Sequence, residues 1–242
     1  MSEQLQFLLE ALPNLIVGFP NHRPGGLLMS IFLAAFTIGV GFLIALIVGS
    51  GRHLGDESDA PLVNRLVARF CQLYVELIRG VPLLLLLVLM HALNNWQPRT
   101  SALVALTLYS SAYQAEIVRA GLAAVPSSLV ESARTLGSTG WQALVLIRWR
   151  YALRLMLPAF TGEAISLFKD TSVVLILGVA ELMTVGRIVL NSSGETEPFW
   201  VSIMLLVGFL YFMVAFGLSV LADRWERGWI SAERIHSLAY ER

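Results

Sequence analysis

Two stretches, Leu27 to Gly51 and Pro198 to Ala222, contain no Asp, Glu, Lys or Arg. A segment that crosses a hydrocarbon core about 30 Å thick needs about 20 mostly apolar residues. It must also satisfy its own backbone hydrogen bonds, as a helix does. Both stretches meet the first requirement, which points the chain toward helices in lipid. Composition agrees, because 14% of the residues are charged where a soluble domain carries about 25%.

Three weaker segments complete the pattern. Gly80 to Pro98 is uncharged but turns polar at His91, Asn94 and Asn95, so its helix is expected to begin earlier, around Arg65 to Phe70, with Glu76 and Arg79 near one end. Thr100 to Ala115 continues past Glu116 and Arg119. Ile165 to Val189 is the weakest, interrupted by Lys169, Asp170, Glu181 and Arg187. The expectation is five crossings. Basic residues set orientation: Arg52, Arg65, Arg69, Arg119, Arg134, Arg148, Arg150, Arg154, Arg224, Arg227, Arg234 and Arg242 fall on one side, against Arg23, Arg99 and Arg187 on the other. That places the N-terminus outside and the C-terminus in the cytoplasm.

Several function classes are excluded. Seventeen basic and seventeen acidic residues cancel, so net charge indicates no nucleic-acid partner. Lys169, the sole Lys, sits between Phe168 and Asp170, outside any Gly-Lys-Ser/Thr phosphate loop. The single Cys71 leaves no disulfide, all-cysteine zinc site or CxxC pair. His53 and His91 are isolated in sequence, and no HExxH or GxSxG string appears. The chain is therefore read as having no catalytic residue, metal site or cofactor of its own.

Residues 1–26 lack the basic start of a signal peptide. Leu5, Leu8, Leu9, Leu12 and Ile16 recur at helical spacing, which predicts a short amphipathic helix on the outer surface, ended by Pro20 and Pro24. Gly41, Ala45 and Gly49 form a small-residue row; it either admits a neighbouring helix closely or is incidental in a lipid-facing one. Trp96, Trp200 and Trp225 fall near span ends, as an aromatic belt requires.

The most informative stretch lies between the third and fourth spans. Pro126 and Ser127 precede a helical pattern with Leu129, Ala133 and Leu136 apolar and Glu131 and Arg134 polar. Ser127 or Ser128 is the expected cap, and Gly137 ends or breaks the helix. Trp141, Leu144 and Val145 resume a second apolar face. Two short helices joined at a glycine make a knob suited to a cleft on another protein.

Glu131-Ser132-Ala133-Arg134-Thr135-Leu136-Gly137, followed after nine intervening residues by Ile147, resembles the EAA loop of ATP-binding-cassette importer permeases. Tyr74 to Leu84, Ala112 to Gly121, and Ile165 to Ser172 with Glu181-Leu182 beyond resemble further signatures of the polar amino acid branch. The resemblance covers roughly residues 27–227. It implies an all-α integral membrane protein of the bacterial inner membrane, with five transmembrane helices and a cytoplasmic coupling-helix loop at about residues 121–155. Residues 1–26 are then a periplasmic segment and 228–242 a cytoplasmic tail.

The function so implied is that of a permease subunit in an ATP-driven amino acid importer. Two cytoplasmic ATP-binding subunits would hold ATP and Mg and do the hydrolysis. A periplasmic binding protein would deliver the amino acid, and a second permease would complete the pathway, an unequal pair slightly favoured over a homodimer. Glu131, Ser132, Ala133, Leu136 and Gly137 are the candidate ATPase-coupling residues. The chain departs from the family where Trp149 and Arg150 replace the usual Leu-Pro at the loop's exit. Losing that Pro removes a helix-stopping kink, and Arg148, Arg150 and Arg154 are left to meet lipid phosphates or the ATPase. A same-architecture permease for an opine or sulfur compound is the first rival, ahead of a membrane-embedded enzyme or a stand-alone carrier.

Charges within spans cost about 2.5–3.5 kcal/mol on insertion scales and need partners or a watery path. Glu76 with Arg79, and Glu116 with Arg119, are three apart and are expected to pair locally. Lys169 and Asp170 point apart and are expected to seek Glu76 or Glu116. Glu163 stands where the family has a neutral residue; it is either a pathway carboxylate for an ammonium group or, the favoured reading, a solvated one. Glu163, Ser166, Lys169, Thr171 and Glu76 are the candidate pathway residues.

Overall fold

The computed structural model describes residues 3–20, 24–55, 60–139, 142–192 and 200–240. Among them are nine α-helices: α1 Glu3–Val17, α2 Gly26–Gly55, α3 Leu62–Gly80, α4 Leu83–Asn94, α5 Pro98–Ala123, α6 Ser127–Thr135, α7 Arg150–Asp170, α8 Leu182–Ser192 and α9 Trp200–Tyr240. A π-helical turn, Ala143–Trp149, runs into α7, and a 3₁₀ segment, Thr171–Leu177, follows it. The described residues contain no strand, only an isolated bridge between Gly26 and Glu181.

Among the described residues two helices are long and apolar enough to cross a membrane, Gly26–Gly55 and Trp200–Trp225, with mean hydropathies of 2.8 and 2.4. In their most apolar windows only 28% and 11% of residues are buried within the chain. Ile47 and Leu205 are 76% and 68% exposed. A helix apolar all round that packs so little of itself internally needs lipid or another chain around it. Trp96, Trp200 and Trp225 are exposed, as anchors at span ends would be.

The expected continuous second helix is instead two. α3 stops at Gly80 and α4 starts at Leu83, with Pro82 as its N-cap at φ −57° and ψ 138°. Proline donates no N–H, clashes with the preceding turn and disfavours helical backbone at Val81. The two helices bend by 103° at this break, and they make a third crossing only if the bent pair is one span. The weak fourth segment is also broken. α7 carries Lys169 to its last turn, tightens into the 3₁₀ segment, and meets Gly178 at φ +73° before α8 begins.

Contacts divide the chain into two units. The first comprises residues Met1–Gly39, Val81–Tyr109 and Ala164–Ser219. Its core gathers Ala11 and Leu15 of α1, Leu182, Val185, Val189 and Leu190 of α8, and Ile203 and Val207 of α9. α1 therefore forms as the sequence predicts, and Leu8 of the predicted stripe packs on this core with Phe7, Ala11 and Leu15, whereas Leu9 is 52% exposed. The i, i+4 row that meets α8 decides which side is inner, and leucine count alone does not. Gly18, at φ +87°, ends α1 before either proline. Gly26 cannot carry a side chain, because a Cβ there would stand 2.1 Å from the Leu15 carbonyl oxygen.

The second unit comprises Val40–Gly80, Ser110–Glu163 and Val220–Arg242. Ala45, Val75, Ala115, Val118, Leu122, Ala152 and Met156 form its core. The small-residue row of α2 lies against α5: Ala45 is fully buried, and a Cβ at Gly49 would sit 2.6 Å from both the Ala115 carbonyl oxygen and the Val118 Cβ. Close approach is thus the reason for the row. Overpacking of this kind costs about 1–3 kcal/mol, so Gly49→Val is expected to lower the melting temperature of the detergent-extracted protein. Gly39→Val, where a Cβ meets nothing within 4 Å, should leave it unchanged; equal behaviour of the two variants in fluorescence-detected gel filtration would refute this packing argument.

Candidate functional site

α6 begins at Ser127 with Pro126 as N-cap and no side-chain cap, so neither serine caps it. Pro126, at φ −56° and ψ 129°, makes the turn into the helix by its fixed geometry. The serines fall inside, where the Ser128 carbonyl accepts the Ser132 hydroxyl at 2.7 Å. At the other end, the Ser138 N–H donates to the Ala133 carbonyl and the Gly137 N–H to the Arg134 carbonyl, both at 3.0 Å. This is a Schellman stop, and it requires the φ of +90° that Gly137 adopts.

Ala133 turns inward and is buried, and α6 packs on the π-helical turn. Glu131, Ser132, Leu136 and Gly137 are exposed, Leu136 by 88%. The candidate coupling residues thus share one short segment, with a single alanine as its inward contact and an acid and a bare leucine facing out. The next helix starts with a reciprocal cap: the Thr139 N–H donates to Gln142 Oε1 at 2.9 Å and the Gln142 N–H to Thr139 Oγ1 at 3.2 Å. The Thr-x-x-Gln spacing that signals this capping box was legible in the sequence and was missed. The expected apolar face at Trp141 lies outside the described residues.

Of the two predicted local ion pairs, one forms and gains a third member. Arg119 donates to Glu116 Oε1 through Nε at 3.0 Å and Nη2 at 2.6 Å, and Arg52 of α2 binds the other oxygen. Glu76 instead accepts from Gln72 Nε2 at 2.6 Å, and the Arg79 guanidinium lies 4.9 Å over the Tyr113 ring. An aromatic face competes with a carboxylate for a half-solvated guanidinium. Glu116 is held by the two arginines. His53, isolated in sequence, is buried, and its Nε2 accepts from Arg148 Nη1 at 2.9 Å.

The pathway candidates are more scattered. Glu76, Ser166 and Lys169 are exposed, and Glu163 is half-buried. Thr171 is fully buried, with its hydroxyl donating to the Phe168 carbonyl at 2.7 Å. Within the first unit a cavity of about 880 Å³ opens between the 3₁₀ segment, α8 and α9, lined among others by Ser172, Ile176, Arg187, Met204 and Tyr211. None of the five candidates lines it.

The sequence also missed a fully buried carboxylate. Glu181 sits just before α8 and accepts the N–H groups of Met183 at 2.8 Å and Thr184 at 2.7 Å, together with the hydroxyls of Thr184 and Tyr211, both at 2.8 Å. The Leu182 N–H donates to Ser30 Oγ at 3.2 Å. Three otherwise orphaned N–H groups of α8 are thereby satisfied. Glu181 reads in sequence as a charge interrupting a span; its bonds to the Met183 and Thr184 N–H groups are local, and Ser30 and Tyr211 complete the network from distant segments. Among the described residues no group of His, Cys, Asp and Glu could hold a metal ion.

A family model described as binding-protein-dependent transport system inner membrane component matches residues 60–230. The chain is 32% identical over 206 residues to the probable glutamine ABC transporter permease protein GlnP of Bacillus subtilis (strain 168), spanning 83% of this chain and 90% of that one. It is 30% identical over 230 residues to the probable amino-acid permease protein YxeN of the same organism, spanning 92% and 94%. Its fold superposes on a chain in the crystal structure of an amino acid ABC transporter with histidines, with a TM-score of 0.77 at 27% identity over 94% of this chain and 99% of that one.

Proposed function

The chain belongs to the family of binding-protein-dependent transport system inner membrane components, and from that membership we propose that it is the permease subunit of an ATP-driven amino acid importer. It crosses the bacterial inner membrane five times, with the N-terminus in the periplasm and the C-terminus in the cytoplasm. α2 and Trp200–Trp225 are the first and last crossings; the α3–α4 pair, α5, and α7 with its broken continuation supply the others. A periplasmic binding protein delivers the amino acid, and two separate cytoplasmic subunits bind and hydrolyse ATP. A second, different permease completes the pathway.

The observation that carries this reading is α6. Its inward face is one alanine, its end is fixed by a Schellman stop, and it presents Glu131 and an 88% exposed Leu136 outward. A short, rigidly ended helix with an uncovered apolar side chain suits a groove on an ATPase subunit, where closure on ATP would pull the loop. Glu163, Ser166, Lys169, Thr171 and Glu76 remain the pathway candidates; the exposure of Ser166 and Lys169 supports that role, and the burial of Thr171 makes it a shaping residue there.

The test is to tag the chain, extract it in mild detergent and identify the subunits that come with it. An ATPase and a second, different permease are expected. An ATPase with this permease alone would replace the unequal pair with a homodimer. Recovery of the chain by itself, under conditions that keep other importers whole, would overturn the assignment.

A further inference from the structure

We propose that the exit of the coupling segment is a binding site for an anionic phospholipid, with Arg150 and Arg154 on its phosphate and Leu146, Ile147 and Tyr151 along the adjoining glycerol and acyl region. The position of the site at the cytoplasmic membrane edge rests on the orientation proposed above. Without a proline at 150, the π-helical turn passes directly into α7, Arg150 keeping helical backbone at φ −62° and ψ −37° with its N–H on the Ile147 carbonyl. That continuity places Leu146 and Ile147 beside Arg150, Tyr151 and Arg154 around a pocket of about 220 Å³.

The three arginines of the exit do not act together. Arg148 turns inward to His53, whereas Arg150 and Arg154 are exposed one helical turn apart on the pocket. Guanidinium groups match phosphate oxygens in bidentate geometry. The apolar surface selects among anions: Leu146 on the pocket is 62% exposed, and Leu153 and Leu155, beside Arg154 in sequence, are 42% and 46% exposed. A free phosphate or an acidic protein surface would satisfy the arginines and leave those leucines in water. An anionic lipid satisfies both, and basic pockets next to membrane-embedded helices favour such head groups.

The experiment is a titration of the detergent-purified chain, with or without its partner subunits, with phosphatidylglycerol, followed by native mass spectrometry. Each basic residue near an anionic lipid surface contributes about 1 kcal/mol, so removing both in R150Q/R154Q is expected to weaken the tightest site about 30-fold, with phosphatidylcholine as the unselected reference. R150K/R154K, which keeps both charges, should stay within a few-fold of wild type and guards against a folding defect. Unchanged phosphatidylglycerol affinity in R150Q/R154Q would overturn the proposal. So would binding of soluble glycerophosphoglycerol as tight as that of the lipid, which would reveal an anion site without an acyl component. If lipid binding is unchanged while the ATPase is lost on purification, the arginines serve a protein contact instead. Orientation is read separately, by maleimide labelling of an Arg150→Cys chain in inside-out and right-side-out vesicles.

Discussion

A Gly137→Val chain is expected to reach the membrane and assemble, yet to transport roughly 10-fold more slowly than wild type, the equivalent of about 1.4 kcal/mol. The backbone at Gly137 has φ +90°, a region that a β-branched residue occupies only as an outlier. Left-handed backbone costs an ordinary residue about 1–2 kcal/mol, and α6, of nine residues, has little intrinsic stability with which to absorb it. Val would release the Schellman bonds to Ala133 and Arg134 and swing Leu136 away from its outward position. No neighbour stands within 4 Å of a Cβ at this position, so the damage is conformational and insertion should be spared. Gly137→Asn, which tolerates left-handed backbone, should keep most of the activity. Uptake and ATP hydrolysis measured together in proteoliposomes give the answer: a Val variant as active as wild type would remove Gly137 from any coupling role.

The second large effect is expected at Glu181. Glu181→Ala strands the N–H groups of Met183 and Thr184 and the hydroxyls of Thr184 and Tyr211 in a buried site. Each unsatisfied buried donor costs about 1–3 kcal/mol. Hydroxyls can rotate to other acceptors, but the two backbone N–H groups cannot, so the loss should amount to several kcal/mol and little folded protein should be recovered. Glu181→Gln retains one acceptor oxygen and aims an NH₂ at donors, which predicts an intermediate loss. Glu131→Ala, at an exposed position, should melt like wild type. The comparison is made by thermal denaturation in detergent, and equal melting of the Glu181→Ala and wild-type proteins would show that the network is dispensable.

The local rules succeeded where a single segment contains all the relevant atoms. The apolar runs became α2 and the membrane-length part of α9, Gly137 became the end of α6, and Glu116 found Arg119 three residues away on its own helix. They failed where a second segment competes. Arg79 took the ring of Tyr113 rather than Glu76, and α1 buried Ala11 and Leu15 most deeply, with Leu8 of its leucine stripe beside them and Leu9 left exposed. The broken second span has a local cause: Pro82 lacks an N–H and stops the helix within an otherwise continuous apolar run.

The sequence by itself determined that this chain is helical, suited to lipid and equipped with a short exposed loop helix, because hydropathy, helix period and the left-handed preference of glycine act over a few residues. Its ordered signatures also determined the family. Tertiary structure alone decided that the Gly41-Ala45-Gly49 row meets α5, that Arg52 joins Glu116 and Arg119, and that Glu181 is a buried cap completed by Ser30 and Tyr211. Each of those outcomes depends on which distant groups the fold holds within hydrogen-bond or van der Waals reach. Such distances are set by the packing of the whole helix set and by nothing written within one segment.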